Sequence, residues 1–312
     1  MRVTAKFNLG LTSAQVDFLD VDVFEDNRLF VDPAAIAIAA AAGDPWARSA
    51  DKRICDFFDF ILKCLPAPKL HTVGEEALSQ FHEPRETRLG MSKSGFDGAG
   101  TGPELGQRMW KALLGNPLCT VGVALLKRVE DIALFVDDVS NDRISDLTTR
   151  IIVEDLIQFT QDQMKLYPGL AASSAKHTIQ VWDPLGTAWT TMRADLPHVS
   201  RPGHTDKPLL LVPKRAAHIG LRMSPRGFWG IEAITAIQKD EAWVDGANKT
   251  KLPTKKSIKS RPAVKDIRPT NAKETLRIWQ RDKKSLVESY RAYVASKYAP
   301  LTNSQIKAKT GG

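Results

Sequence analysis

The chain has 312 residues, 43% of them hydrophobic and 26% charged, with a formal net charge of +8. That is enough to bury a substantial core as one large or two modest domains, and it excludes a disordered or fibrous chain. The longest apolar run, "AAIAIAAAAG" at 34–43, is far short of the ~20 residues a membrane span needs, and the N-terminus lacks a signal-like apolar core.

"VDFLDVDVF" (16–24) alternates, with Leu19, Val21 and Val23 on one face and Asp20 and Asp22 on the other, and predicts a hairpin with "NRLFVD". Pro33 opens an alanine-rich helix that "GDP" ends, and "WARSADKRICDFFDFILKCL" predicts a second, amphipathic one. Cys55 and Cys64 lie within it and, with Cys119, lack CxxC spacing. Free thiols in a reducing cytoplasm are expected. A short helix at "GEEALSQF" leads into the glycine-rich "HEPRETRLGMSKSGFDGAGTGPE" and then the helix "ELGQRMWKALL".

"DIALFVDDV" (131–139) is a strand candidate, followed by a long helix from about Asp142 to Leu166 whose apolar stripe is Leu147, Ile151, Leu156, Phe159 and Met164. "HTIQVWDPLGTAWTTMRADLP" predicts a hairpin turning at "DPLG", and "KPLLLVPK" a buried central strand. Residues 246–270 read as a flexible basic linker. Two helices follow, each with a capping-box pattern: Asn271 with Glu274, then Ser285 with Glu288. The expected fold is α+β (mixed α/β), with a central sheet from strands near 132, 178, 188 and 209. Residues 1–245 form the core domain, divided into 1–80 and a site-bearing 81–245. Residues 246–312 are a basic linker and C-terminal helical arm.

The charge is uneven. Residues 249–312 hold seventeen Lys/Arg against four acids, a net +13, which leaves −5 for the first 248 residues. Such a segment suits a polyanion, and Lys255, Lys256, Lys259 and Arg261 are candidate nucleic-acid contacts, although a solvated tail has the same composition. Its aromatics, Trp279, Tyr290, Tyr293 and Tyr298, sit at helical spacing and fit core packing better than base stacking.

Chemistry is sought first in "DDVSNDRISD". Asp142 and Asp146, one turn apart on a helix face, could share Mg²⁺ or Mn²⁺, the ion that activates water and neutralises charge in phosphodiester cleavage. Asp137 and Asp138 could contribute from the preceding segment, and Glu86 is the natural third carboxylate if the glycine-rich loop folds over the pair. The bland alternative is a helix cap at Asp142 and an Asp146–Arg150 pair at i+4. The loop matches no phosphate-binding fingerprint, yet Lys93, Ser92 and Ser94 before a helix start could cradle a phosphate. Lys214, ending "LLLVPK", is placed to steady a scissile phosphate or to be a solvated flank. Asp183 could join a sheet site or start a turn. The six histidines show no HxH, HExxH or HNH spacing.

"VEDIALFVDDVSNDRISDLTTRIIVEDLIQFTQDQ" and "TTMRADLPHVSRPGHTDKPLLLVPKRAA" resemble an uncharacterised prokaryotic family associated with phage-defence and mobile gene neighbourhoods. The likeness covers roughly 80–215 and, more loosely, the basic C-terminal segment. It implies a defence context, other defence-system proteins as partners, and Glu86, Asp142, Asp146 and Lys214 as parts of one site. Similarity to PD-(D/E)xK nucleases is distant, because Val212 stands where the acid two before Lys214 belongs. The expected function is a cytoplasmic, metal-dependent nuclease or nuclease-like effector in antiviral defence. The alternative is a non-catalytic nucleic-acid-binding or adaptor subunit of a defence complex.

Overall fold

The computed structural model describes residues 1–90, 103–120, 125–137, 139–200 and 207–310. The fold is α+β: helices dominate, and the strands form small antiparallel sheets of two or three strands. At the centre lies the helix Asn141–Ile151, capped by the Ser140 hydroxyl, which accepts from the Arg143 N–H at 3.3 Å. Every residue from Ile144 to Ile151 is buried, polar ones included. Burial on all faces requires internal partners for the polar groups. Thr148 and Thr149 bond back to the Ile144 and Ser145 carbonyls, and Ser145 Oγ accepts the Val31 N–H at 2.9 Å.

Around this axis, Asp32 and Asp44 cap the helices Pro33–Ala41 and Pro45–Cys64; Pro33 opens the first as the sequence predicts, and Pro45, read there as part of its end, opens the second. The helices His71–Ser79 and Pro103–Leu114 also follow the sequence. The predicted hairpin forms from Ser174–Asp183 and Ala188–Val199, with Trp182 opposite Trp189, while Asp183 starts the turn by accepting the Leu185 N–H. The predicted long helix divides at Ile152, whose ψ of 13° leaves the helical range, into Asn141–Ile151 and Val153–Leu166.

Four local expectations are corrected. Residues 131–135 are helical, not a strand: Asp131 is fully buried and its carboxylate accepts the Lys127 and Arg128 N–H groups. "KPLLLVPK" is extended and buried, but only Lys207–Pro208 joins a ladder. Leu209, Leu210 and Leu211 donate to the Pro197 carbonyl, the Glu86 carbonyl and Thr160 Oγ1 in turn. The N-terminal hairpin does not form. Phe30–Val31 pair instead with Ala217–His218, and the expected solvent-facing Asp20 is fully buried, accepting from Thr4 and Ser13. Asn271 and Glu274 are not a helix start; they are buried inside the helix Ile267–Asp282.

The basic C-terminal segment packs onto the body. Residues 246–270 carry half of a short hairpin, the helix Lys255–Lys259 and a 3₁₀ turn, which cover a small cluster of Ile234, Ile258, Val264 and Trp229. Ile278, Tyr290, Val294 and Ile306 enter the main core, bearing out the packing role expected of Tyr290, whereas Tyr293 is 41% exposed. Arg291 locks the helix Leu286–Ser296 to the body through Asp131 at 2.7 Å.

Gly106 marks a close approach between helices. A Cβ there would overlap the Leu78 carbonyl and Ser79 Cα, both backbone. Gly106→Val should therefore lower stability by about 1–3 kcal/mol or more, read from urea midpoints, because overpacking at a backbone contact cannot be relieved by a rotamer change.

Candidate functional site

The segment 82–88 is shaped by two buried arginines. Arg150, 1% exposed, donates to the His82 and Glu83 carbonyls at 2.9 and 3.0 Å, and meets the Glu86 carboxylate at 3.1 Å. Arg88 holds a left-handed conformation at φ 59° and donates to the Val23 and Pro208 carbonyls. Burial pushes its guanidinium down to about 10, although Glu86 and Asp26 oppose the shift. These residues, with His177, Gln180, Trp189 and Lys207, line a cleft of about 1080 Å³. Its two buried cations are already committed to backbone carbonyls and Glu86.

Asp142, Asp146 and Arg150 step along one face of the central helix at i, i+4 and i+8. Asp146 is buried, and its carboxyl is held well above the usual carboxylate range. Loss of water is the main cause; Asp142, Glu83 and Asp26 add repulsion that Arg150 offsets only in part. Neither bland account of the pair holds: the cap is Ser140, and the ion pair of Arg150 is with Glu86. Gly90, the first glycine of that segment, lies at this place: a Cβ on it (φ 140°) would be 3.5 Å from Asp142 Oδ1.

At the same helix start a second cleft, of about 470 Å³, is lined by Arg108, Val139, Ser140, Arg143 and Arg268. The three arginines come from three distant stretches of chain. Arg108 is exposed on the helix Pro103–Leu114, and Arg143 lies in the first turn of the central helix. Arg268 is fixed by the Ala133 carbonyl at 3.0 Å and the Val139 carbonyl at 3.3 Å. The nearby carboxylate, Asp137, is 75% exposed and reaches Arg268 at 3.5 Å. Three guanidinium groups at a helix N-terminus suit an anion with several oxygens, such as a phosphate.

The sequence candidates therefore separate. Asp142 and Asp146 adjoin, with Glu83 as an unexpected neighbour, and Glu86 is tied to Arg150. Lys214 lies elsewhere: its ammonium donates to the Ser13 carbonyl at 2.6 Å and to Asn303 Oδ1 at 3.1 Å. Lys255 is held by the Gly230 carbonyl, Lys259 lies 5.0 Å from the Trp229 ring centroid, and Arg261 grips Glu241, whereas Lys256 is exposed and makes no ion pair among the described residues. Lys93, Ser92, Ser94 and Asp138 lie outside the described residues. Among the described residues no group of three or more His, Cys, Asp or Glu is arranged to hold a metal ion. Sequence reasoning missed Arg108, Arg143, Arg268 and Glu83. The i+8 ladder to Arg150 was readable; the convergence of Arg268 with Arg108 was not.

The stretch 8–220 matches the family described as a domain of unknown function (DUF8370), and the chain belongs to that family. No curated protein and no solved structure matches it. Among the described residues no helix is long and apolar enough to cross a membrane.

The site yields two predictions. An acid raised in the folded state destabilises the fold above its ordinary value of about 3.9, increasingly until pH passes the folded value and constantly beyond it. Asp146→Asn should therefore melt higher than the parent at pH 8, with the difference vanishing below about pH 4; pH-dependent melting curves decide. Arg150→Met should cost about 3–5 kcal/mol in urea unfolding, because it strands three carbonyls and Glu86 without their donor. A parent-like midpoint would remove Arg150 as the organiser of 82–86.

Proposed function

We propose that this chain binds nucleic acid through the phosphate backbone, with the arginine cleft at the start of the central helix as its principal contact. The observation that carries this reading is the convergence of Arg108, Arg143 and Arg268 on one cleft. The +13 segment 249–312 supplies Arg268 itself and adds exposed cations: among the described residues Lys249, Lys256, Lys265, Lys273 and Lys284 make no ion pair. A prokaryotic defence or mobile-element setting, with other defence proteins as partners, is the part of this reading that rests only on the likeness of residues 80–215 to a defence-associated family.

A second reading, metal-dependent phosphodiester cleavage, is favoured by one observation: the buried Asp146 is repelled by Asp142 and Glu83, and Asp142 shares its helix start with the arginine cleft. Mg²⁺ or Mn²⁺ on that pair would relieve the repulsion and activate water. Lys214 has no part in this version.

Binding should weaken log-linearly with salt, and the paired substitution Arg108→Gln, Arg143→Gln should flatten the slope by about 0.9 per lost duplex phosphate contact. The loss should be alike for all sequences, since backbone contacts position without reading bases. An unchanged slope defeats the cleft assignment. Incubation with plasmid and RNA, with Mg²⁺ or Mn²⁺ and then EDTA, separates the two readings. Chelator-sensitive cutting that Asp146→Asn abolishes supports catalysis; binding without cutting leaves a binding subunit.

A further inference from the structure

A surface hairpin stands apart from both clefts. Trp243–Val244 pair antiparallel with Thr250–Lys251, and Asp245 builds the turn between them by accepting the Ala247 and Lys249 N–H groups, each at 2.9 Å. Trp243 is 52% exposed, and Val244 and Leu252 are also exposed. Leaving a tryptophan on a two-residue ladder forgoes about half of its burial free energy, and among the described residues Trp243 belongs to neither apolar cluster. The register explains what surrounds it. Lys251 lies directly opposite Trp243, and strand alternation puts Asp245 and Lys249 on the same face. Lys251 is in part neutralised by Asp245 at 3.4 Å, whereas Lys249 makes no ion pair among the described residues. The hairpin is anchored at its base, where Gln238 donates to the Pro253 carbonyl at 2.7 Å, and exposed Lys256 follows in the next helix.

We propose that this hairpin is a stacking platform for unpaired nucleobases: Trp243 takes a base on its exposed indole face while Lys249, Lys251 and Lys256 meet the adjoining phosphates. An aromatic face between cations binds single strands in a sequence-tolerant way, because every base has a π face and every nucleotide a phosphate. A base inside a duplex is already stacked on both sides and offers the indole nothing. The occupant is therefore single-stranded nucleic acid, or a duplex locally opened. Three apolar side chains are too few for a bilayer anchor, which needs an extended apolar face, and too few for the core of a stable protein interface. This inference rests on the nucleic-acid reading and specifies its substrate.

The test compares the full chain with Trp243→Ala and Trp243→Phe, using fluorescence anisotropy on a labelled oligothymidylate and on a blunt duplex of equal length. Flotation with phosphatidylglycerol–phosphatidylcholine vesicles is run in parallel. Because Trp243 lies outside both apolar clusters, all three proteins should melt alike. The parent should prefer the single strand. Trp243→Ala should lose roughly 5- to 150-fold on it with duplex affinity unchanged, and Trp243→Phe should lose less. The salt slope of Trp243→Ala should match the parent, because the slope counts phosphates and not stacked bases. Equal single-strand affinity of parent and Trp243→Ala, with duplex binding intact, overturns the platform and leaves the nucleic-acid reading standing. Binding to neither probe overturns both. Vesicle binding that Trp243→Ala abolishes, with oligonucleotide affinity unchanged, assigns the hairpin to membranes instead.

Discussion

The buried guanidinium of Arg150 is the interaction on which the site depends. A permanently charged group at 1% exposure is tolerable only if its donors are matched, and Arg150 matches them with the His82, Glu83 and Gln180 carbonyls and the Glu86 carboxylate. That requirement pulls three stretches of chain together: the central helix, the irregular segment 82–86 and the first strand of the hairpin. It also fixes what surrounds Asp146. With Glu86 turned to Arg150, burial raises the Asp146 carboxyl, and repulsion from Asp142 and Glu83 adds to it.

Charge in the C-terminal segment is largely structural near the core and free at the rim. Arg277 and Arg281 hold Asp240, Arg291 holds the buried Asp131, and Arg268 closes onto backbone carbonyls while still lining the arginine cleft. A net charge counted along the sequence therefore overstates what a polyanion meets. Lys249 on the hairpin, Lys256, and Lys265, Lys273 and Lys284 make no ion pair among the described residues and remain to receive it. Long-range attraction would then come from the rim and positioning from the arginine cleft.

Much of the helical fold was legible because it rests on local chemistry. Asp-Pro at 32–33 and 44–45 specifies two helix starts whatever the rest of the chain does, and "DPLG" between alternating runs specifies the hairpin. Two of the failures share a cause. "DIALFV" and "LLLVP" are short apolar runs with no readable period, and burial on every side suits a helix or an extended segment equally. "VDFLDVDVF" has a clear period, but its acidic face turns inward because Thr4 and Ser13 supply donors that alternation cannot announce.

By itself, then, the sequence determined the α+β class, several of the longer helices, the hairpin, the Asp142–Asp146 adjacency and the excess of positive charge. Each of these depends on residues within about one or two turns of each other, or on composition alone. Only the tertiary structure decided which charges are committed and which are available. Glu86 goes to Arg150, Lys214 to Ser13 and Asn303, and Arg268 to a cleft shared with Arg108 and Arg143, more than a hundred residues away. The physical reason is that a charge finds its partner through space, where the cost of burying it unpaired exceeds any local preference.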